Sequence, residues 1–251
     1  MMNEFDELWR GGPRFMQTDE SFKLSTDSVL LSDFANMKRV NSCLDLGSGA
    51  GILTVLLAEK NQSSQITGVE LQPSFADLSR LNIAENGFES RVKIITADLR
   101  EHRELFTAEG FDLVVSNPPY FAENSGYSAP INHRASAREE RSCTLADICA
   151  ATKWALRWGG TFALVHRPER LSEIFCAMTE FGIEPKRLRM VSYSAEKAPS
   201  LVLVEGKRGG KKGLKIEAPL ILTDANGSDS DEAQRIYKRG AYAPNGEGRT
   251  L

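Results

Sequence analysis

Asp45-Leu46-Gly47-Ser48-Gly49-Ala50-Gly51 decides how this chain is read. The stretch starts inside a short apolar segment, Ser42–Leu46, and runs into the helical pattern of Ile52–Lys60. A strand, a glycine-rich turn and a helix in that order form the opening unit of an α/β sheet. Glycines at alternate positions let the backbone turn sharply and bring its N–H groups close to a ligand at the start of the next helix. A dinucleotide fingerprint needs G-x-G-x-x-G. Here Ile52 holds the place of its third glycine, and Gly51 comes one residue early. That spacing argues against a nicotinamide cofactor.

The segments on either side extend the pattern. Further strand candidates are Gln65–Glu70, Val92–Thr96, Phe111–Ser116 and Thr161–Val165. Helical patterning fills Ser74–Asn86, Leu145–Arg157 and Arg170–Phe181. Two more strands, Arg187–Tyr193 and Ser200–Glu205, are separated only by Ser194–Pro199, which is too short for a crossover helix. They read as an antiparallel hairpin on the far side of the sheet. The expected fold class is α/β: a seven-stranded Rossmann-like sheet, parallel apart from a C-terminal antiparallel hairpin.

A second turn carries the chemistry. Asn117-Pro118-Pro119-Tyr120 follows the apolar strand Phe111–Ser116. The lone pair of an exocyclic or amide nitrogen is delocalised and poorly nucleophilic. Accepting hydrogen bonds from both of its hydrogens moves the nitrogen toward tetrahedral geometry. The side-chain oxygen of Asn117 and the carbonyl of Pro118 are two such acceptors. Pro118 and Pro119 fix φ and stiffen the turn, and Tyr120 offers a face for a base to stack on. The chemistry needs no metal, covalent nucleophile or strong base when the methyl donor is already activated; the catalyst mainly contributes positioning.

Taken with this turn, the Asp45–Gly51 loop resembles the Asp-x-Gly-x-Gly-x-Gly loop of S-adenosylmethionine (SAM) methyltransferases. Gly47, Gly49 and Gly51 would then wrap the amino-acid end of SAM. Glu70, closing the second strand, can accept both ribose hydroxyls. Asp98, just after the third, can accept the adenine amino group. Asp45 has two readings: a cofactor contact, or an acceptor for the loop's own N–H groups.

The chain also resembles one family in particular, the bacterial tRNA1(Val) (adenine-37-N6)-methyltransferases with their Firmicutes-type relatives. The residues that carry this are Phe15-Met16-Gln17, Leu24–Leu31 with Thr26-Asp27, the loop Asp45–Gly51, the Asn117–Tyr120 turn followed by Phe121, and Pro199–Gly206. The Asn-Pro-Pro-Tyr turn alone is shared with glutamine N5, adenine N6 and guanine N2 methyltransferases. The resemblance implies methyl transfer to N6 of an adenine beside a tRNA anticodon, in the cytoplasm. It also implies one methyltransferase domain over residues 1–251, with a lead-in at 1–41, a catalytic core at 42–208 and a basic, partly flexible tail at 209–251. A protein-glutamine methyltransferase is the nearest rival. Such enzymes carry a helical domain before the loop, and only 44 residues precede Asp45 here. A SAM-binding RNA chaperone is the non-enzymatic alternative.

Composition sets outer bounds. The chain of 251 residues is 41% hydrophobic and 26% charged, ordinary for a soluble globular protein. No apolar run is long enough to span a membrane, and Met1–Glu7 is acidic and lacks the apolar core of a secretory signal. Four cysteines show no zinc spacing and read as free thiols. No metal site is expected, and a monomer is the simplest oligomeric state. The net charge of −3 splits into −8 over residues 1–130 and +5 over 131–251. The basic half is a face suited to RNA, and the resemblance implies tRNA as the partner.

Candidate RNA contacts are Phe121, Arg134 and Arg138 in a long polar loop, and Lys207, Arg208, Lys211 and Lys212 in a basic run. The arginines of the loop have the alternative of pairing with Glu139 or Glu140. Thr26 and Asp27 have two roles open to them, capping a helix that begins near Ser28 and closing the cofactor pocket. His133 reads as a loop residue. Trp154 and Trp158 stand at helical spacing and read as core. The segment Pro219–Leu222 reads as strand-like, and 231–238 as a short helix.

Overall fold

The computed structural model describes residues 5–16, 26–119 and 143–238. Tyr120, Phe121, His133, Arg134 and Arg138 lie outside the described residues, as do the last residues of the tail. The chain opens with a small antiparallel hairpin, β1 (Phe5–Glu7) and β2 (Arg14–Met16), followed by α1 (Thr26–Phe34). The alternating body follows: β3 (Ser42–Leu46), α2 (Ile52–Lys60), β4 (Gln65–Glu70), α3 (Pro73–Glu85), β5 (Val92–Thr96), the short α4 (His102–Leu105) and β6 (Phe111–Ser116). It continues with α5 (Leu145–Ala155), β7 (Leu156–His166), α6 (Leu171–Glu180), β8 (Ile183–Ser192) and β9 (Leu201–Arg208). The chain then adds β10 (Lys215–Ile216), β11 (Leu220–Ile221) and α7 (Asp231–Ile236).

Strands β3 to β7 pair in parallel, and β9 lies antiparallel between β7 and β8. These are the seven strands expected. The sheet has nine, because β10 and β11 both add to β8 in parallel. The segment expected as tail thus caps the sheet edge. It is locked there by α7, whose Arg235 pairs with Asp33 of α1 at 3.2 Å. Capping protects an edge whose N–H and C=O groups would otherwise be unpaired.

The strand sequences explain why both faces are covered. Along β6, Leu113 and Val115 enter one apolar layer with α1 and α2, while Val114 enters the other with α5 and α6. A period of two with apolar residues on both sides is the mark of a sheet buried on both faces. The N-terminal hairpin is stapled to α3 by two asparagines one helical turn apart. Asn82 Oδ1 accepts from Met16 N–H at 2.8 Å, and Asn86 exchanges hydrogen bonds with the backbone of Arg14. Asn82 Nδ2 also donates to the Ala50 carbonyl, so the hairpin braces the glycine loop.

Two expectations shift. α1 begins at Thr26, so Thr26 and Asp27 form its first turn and do not cap a helix starting at Ser28. α5 ends at Ala155, and the chain enters β7 at once. Between Phe111/Leu113 on β6 and Leu156/Thr161 on β7 the register jumps, and Arg157-Trp158-Gly159-Gly160 bulges from the strand. Gly159 has φ 77°, and a Cβ on Gly160 would stand 2.9 Å from the Arg157 carbonyl. The helix has already ended at Ala155, and the glycine pair fits the bulge that follows. Trp154 stays in α5, half-buried, its Nε1 donating to the Phe106 carbonyl. Trp158 does not join it in the core and is 69% exposed.

Candidate active site

Strand register brings the two turns together. Leu46, the last residue of β3, pairs with Ser116, the last residue of β6. Ser116 Oγ donates to the Leu46 carbonyl at 2.8 Å. The glycine loop and the Asn-Pro-Pro turn therefore leave adjacent strands side by side, roughly 5 Å apart. On the other side of β3, Leu46 pairs with Val69, which sets Glu70 at the same level, and Thr96 beside Glu70 does the same for Asp98. The C-terminal ends of parallel strands are where open α/β sheets bind ligands. A cleft of about 1180 Å³ opens there.

Of the residues expected to hold a cofactor, Asp27, Asp45, Gly47, Gly49, Glu70 and Asp98 line this cleft. Gly47 and Gly49 have φ 77° and 53°, and a Cβ on either would meet nothing within 4 Å. They are glycine for backbone conformation and leave the space above the loop open. Gly51 differs. It does not line the cleft, and its Cβ would stand 2.2 Å from Ser79 Oγ of α3. Its φ of 81° makes the same conformational demand, and its missing side chain also lets α3 pack closely on the loop. Thr26 is exposed and outside the cleft, while Asp27 lines it.

The carboxylates divide by environment. Glu70 is buried; its Oε2 accepts from Gly49 N–H at 2.8 Å and its Oε1 from Gln72 N–H at 2.9 Å. Burial raises its pKa, and these backbone donors oppose the rise. Asp45 is buried at the loop's base. Burial pushes its carboxyl up to about 7, a hydrogen bond from Thr54 opposes that, and the nearby Glu70 adds to it. Thr54 Oγ1 donates to Oδ2 at 2.6 Å, while Oδ1 has no hydrogen-bond partner among the described residues. The loop N–H groups of Gly47 and Ser48 go to the Val69 carbonyl instead. Asp45 therefore does not serve as their acceptor, the structural alternative open in the sequence. Asp98 caps the short 3-10 turn at Leu99–Glu101 and is held by Arg100, whose guanidinium keeps its pKa low. An open glycine cradle, a buried orphan carboxylate oxygen and a ring of acidic groups suit a ligand with cationic and hydroxyl groups, as SAM has.

Asn117, Pro118 and Pro119 line the same cleft. Asn117 Nδ2 donates to Ser28 Oγ of α1 at 3.0 Å. A buried hydroxyl on a neighbouring helix is thus one of the contacts that hold the Asn117 amide. Ser28 was not singled out in the sequence, because its partner is 89 residues away. His166, Arg167 and Arg170 were missed as well. His166 closes β7 and the two arginines follow it; Leu164 of β7 pairs with Ser116, so they rise beside the Asn-Pro-Pro turn. His166 is buried and its Nδ1 accepts from Arg167 N–H at 2.7 Å. Burial, helped by Arg170, pushes its pKa down to about 4, so it is neutral at physiological pH.

The basic run goes elsewhere. β9 is antiparallel to β7, so Val202 lies beside His166 while Lys207 lies beside Thr161. Lys207, Lys211 and Lys212 therefore stand at the opposite end of the sheet from the cleft. Arg208 pairs with Glu109 at 3.0 Å and donates to the Leu156 carbonyl. Among the described residues, no cluster of His, Cys, Asp and Glu could hold a metal ion, and no helix is long and apolar enough to cross a membrane.

A sheet of this order with a glycine-rich first turn, acids at the next two strand ends and a polar turn after the fourth defines a SAM-dependent methyltransferase. Residues 23–179 match the methyltransferase small domain family, and the chain belongs to that family. It is 30% identical over 195 residues to a tRNA1(Val) (adenine(37)-N6)-methyltransferase of Porphyromonas gingivalis, covering 75% of this chain and 76% of that protein. Enzymes of the same name from Aeromonas hydrophila (30% over 212 residues; 84% and 86%) and Haemophilus influenzae (32% over 183 residues; 68% and 78%) are similar too. The fold matches the crystal structure of an Agrobacterium tumefaciens protein described as a predicted O-methyltransferase, with TM-score 0.70 and 20% identity, over 85% of this chain and 96% of that one.

Proposed function

We propose that this methyltransferase acts on N6 of an adenine in tRNA, beside the anticodon at the position named for its relatives, adenine 37 of a tRNA-Val type. The observation that carries the reading is the Ser28–Asn117 contact. It helps hold the amide, whose Oδ1 can accept one hydrogen of a flipped-out amino group, with the Pro118 carbonyl placed by sequence to accept the other. SAM supplies an activated methyl group. The protein's part is to hold the target nitrogen in line with it and to polarise its N–H bonds. Glu70 and Asp98 hold the donor's sugar and base, and Asp45 faces its charged end. Neutral His166 adds no positive charge to a cleft whose wall already holds Arg167 and Arg170. Tyr120, next in chain to Pro119, is the candidate stacking face. The relatives' shared name supports adenine in tRNA over other amino-group acceptors.

The test is a tritiated-SAM assay on unmodified tRNA, rRNA, DNA and release factor, followed by nucleoside mass spectrometry. N6-methyladenosine in tRNA, mapped next to the anticodon, is the expected product. Label on a glutamine side chain would instead assign the enzyme to protein methylation, and label on rRNA or DNA alone would overturn tRNA as substrate.

A further inference from the structure

The end of the sheet farthest from the cleft carries an arrangement that the methyl-transfer site does not use. Trp158 stands in the β7 bulge with 69% of its surface exposed. Its ring lies against Gly209, where a Cβ would be 2.2 Å from the indole and where φ is 66°. Glycine is therefore required there twice, by conformation and by contact, and the backbone supports one side of the ring. A groove of about 390 Å³ runs beside it, with Lys153, Phe181, Glu184 and Gly210 in its walls. Lys186 Nζ donates to the carbonyls of Lys211 and Gly213 and so pins the turn that follows β9.

The charges around this ring are unbalanced. Arg208 is committed to Glu109, and Arg157 to Asp112. Lys153, Lys207, Lys211 and Lys212 are exposed and make no ion pair among the described residues. Glu184 is the one carboxylate in the groove wall. What marks this ring is not its exposure alone but the backbone support beneath it and the cations around it. A supported indole among unpaired ammonium groups matches an unstacked base with flanking phosphates. An acidic peptide would use the lysines but has no need of the open ring.

We propose that this end of the sheet is a second RNA-docking surface, in which Trp158 stacks on a base and Lys153, Lys207, Lys211 and Lys212 contact the neighbouring phosphates. The inference rests on the reading that the substrate is RNA. From Val202 to Lys207 the surface lies about 17 Å along β9 from the level of the cleft, at about 3.4 Å per residue. The two sites cannot hold adjacent nucleotides. The second contact belongs to a part of a folded RNA distant from the target adenine, and it selects whole tRNA over a fragment.

The test uses the full chain and two fluorescent probes, an unmodified tRNA-Val transcript and its isolated anticodon stem-loop. Trp158→Ala should weaken transcript binding roughly tenfold, within the range of a lost base stack. Trp158→Phe should keep most of the affinity. Replacing the four lysines by Ala should lower the salt slope of transcript binding by about three, since each phosphate contact releases counterions. Stem-loop affinity and kcat should be unchanged in all variants. Parental transcript affinity in Trp158→Ala, or equal losses on both probes, overturns the proposal. A parent enzyme that binds the transcript through Trp158 but methylates another substrate supports the docking surface while refuting the proposed reaction. A parent that binds neither probe overturns both.

Discussion

The two ends of the central sheet are built from the same strands and do opposite things with charge. At the end holding the glycine loop, Asp45 and Glu70 are buried beside each other, with pKa values raised mainly by burial. At the other end the lysines after β9 and Trp158 stand in water. Burying acids is unfavourable without a partner. The cleft end therefore carries stored electrostatic demand that a cationic cofactor relieves, while the far end stores none. Polarity at the first end reports chemistry; polarity at the second reports contact.

The sharpest way to break this contrast is Asn117→Ala. It removes a positioned acceptor and should lower kcat by about 10²–10³-fold, the scale seen when one preorganised hydrogen-bonding group is deleted. SAM affinity by calorimetry should stay near parental, since the proposed partner of the amide is the target amino group and not SAM. Parental turnover would remove Asn117 from the chemistry. Glu70→Ala acts on the cofactor instead. Losing a hydrogen bond to a charged acceptor costs about 1.5–3 kcal/mol, so SAM should bind roughly 10- to 100-fold more weakly. Unchanged affinity would show that Glu70 only orders the Gly49 turn.

Titration separates the buried groups. Asp45 has a raised pKa of about 7 against an ordinary 3.8. Between those values the folded chain holds a proton that the unfolded chain has released, so stability falls as pH rises through the window. His166 has a lowered pKa of about 4 against 6.5. Across that window the unfolded chain binds the extra proton, so stability falls as pH drops. The slopes offset each other where the windows overlap. His166→Asn should expose the Asp45 slope, about 1.4 kcal/mol per pH unit. Urea unfolding of the cofactor-free variant should then show stability falling as pH rises from about 4 to 6.5. A curve parallel to the parent's would take His166 out of this balance.

The smallest expected effect is that of Ser28→Ala. Its hydroxyl helps hold Asn117 without touching the substrate, so the loss should be about 0.5–1.5 kcal/mol, or two- to tenfold in kcat. SAM affinity should be unchanged, and Ser28→Thr should restore turnover if the γ-hydroxyl is what matters. A Ser28→Ala enzyme with parental kcat would mean that the turn orients Asn117 unaided.

The sequence by itself determined the α/β class, the strand order of motifs and most of the residues that meet at the strand ends around the cleft. Those signals are local: a strand alternates with period two, a glycine turn needs positive φ, and an acid at a strand end is visible in one dimension. The SAM cofactor and the methyltransferase family were legible for the same reason, since Asp45–Gly51 and Asn117–Pro119 are contiguous. Only the tertiary structure decided what each residue faces. It set Gly51 outside the cleft, close against Ser79 of α3. It brought Ser28 to Asn117 and His166 to the cleft across separations of 89 and 49 residues. It sent the basic run to the far end of the sheet because β9 is antiparallel, so that a run next in sequence to a cleft-level strand ends at its opposite pole. And it exposed Trp158, because the helix whose spacing suggested a buried pair ends at Ala155, where the chain turns into β7 and its glycine bulge. Strand direction and helix termination are settled by packing among distant segments, and that information is not carried by any one stretch of chain.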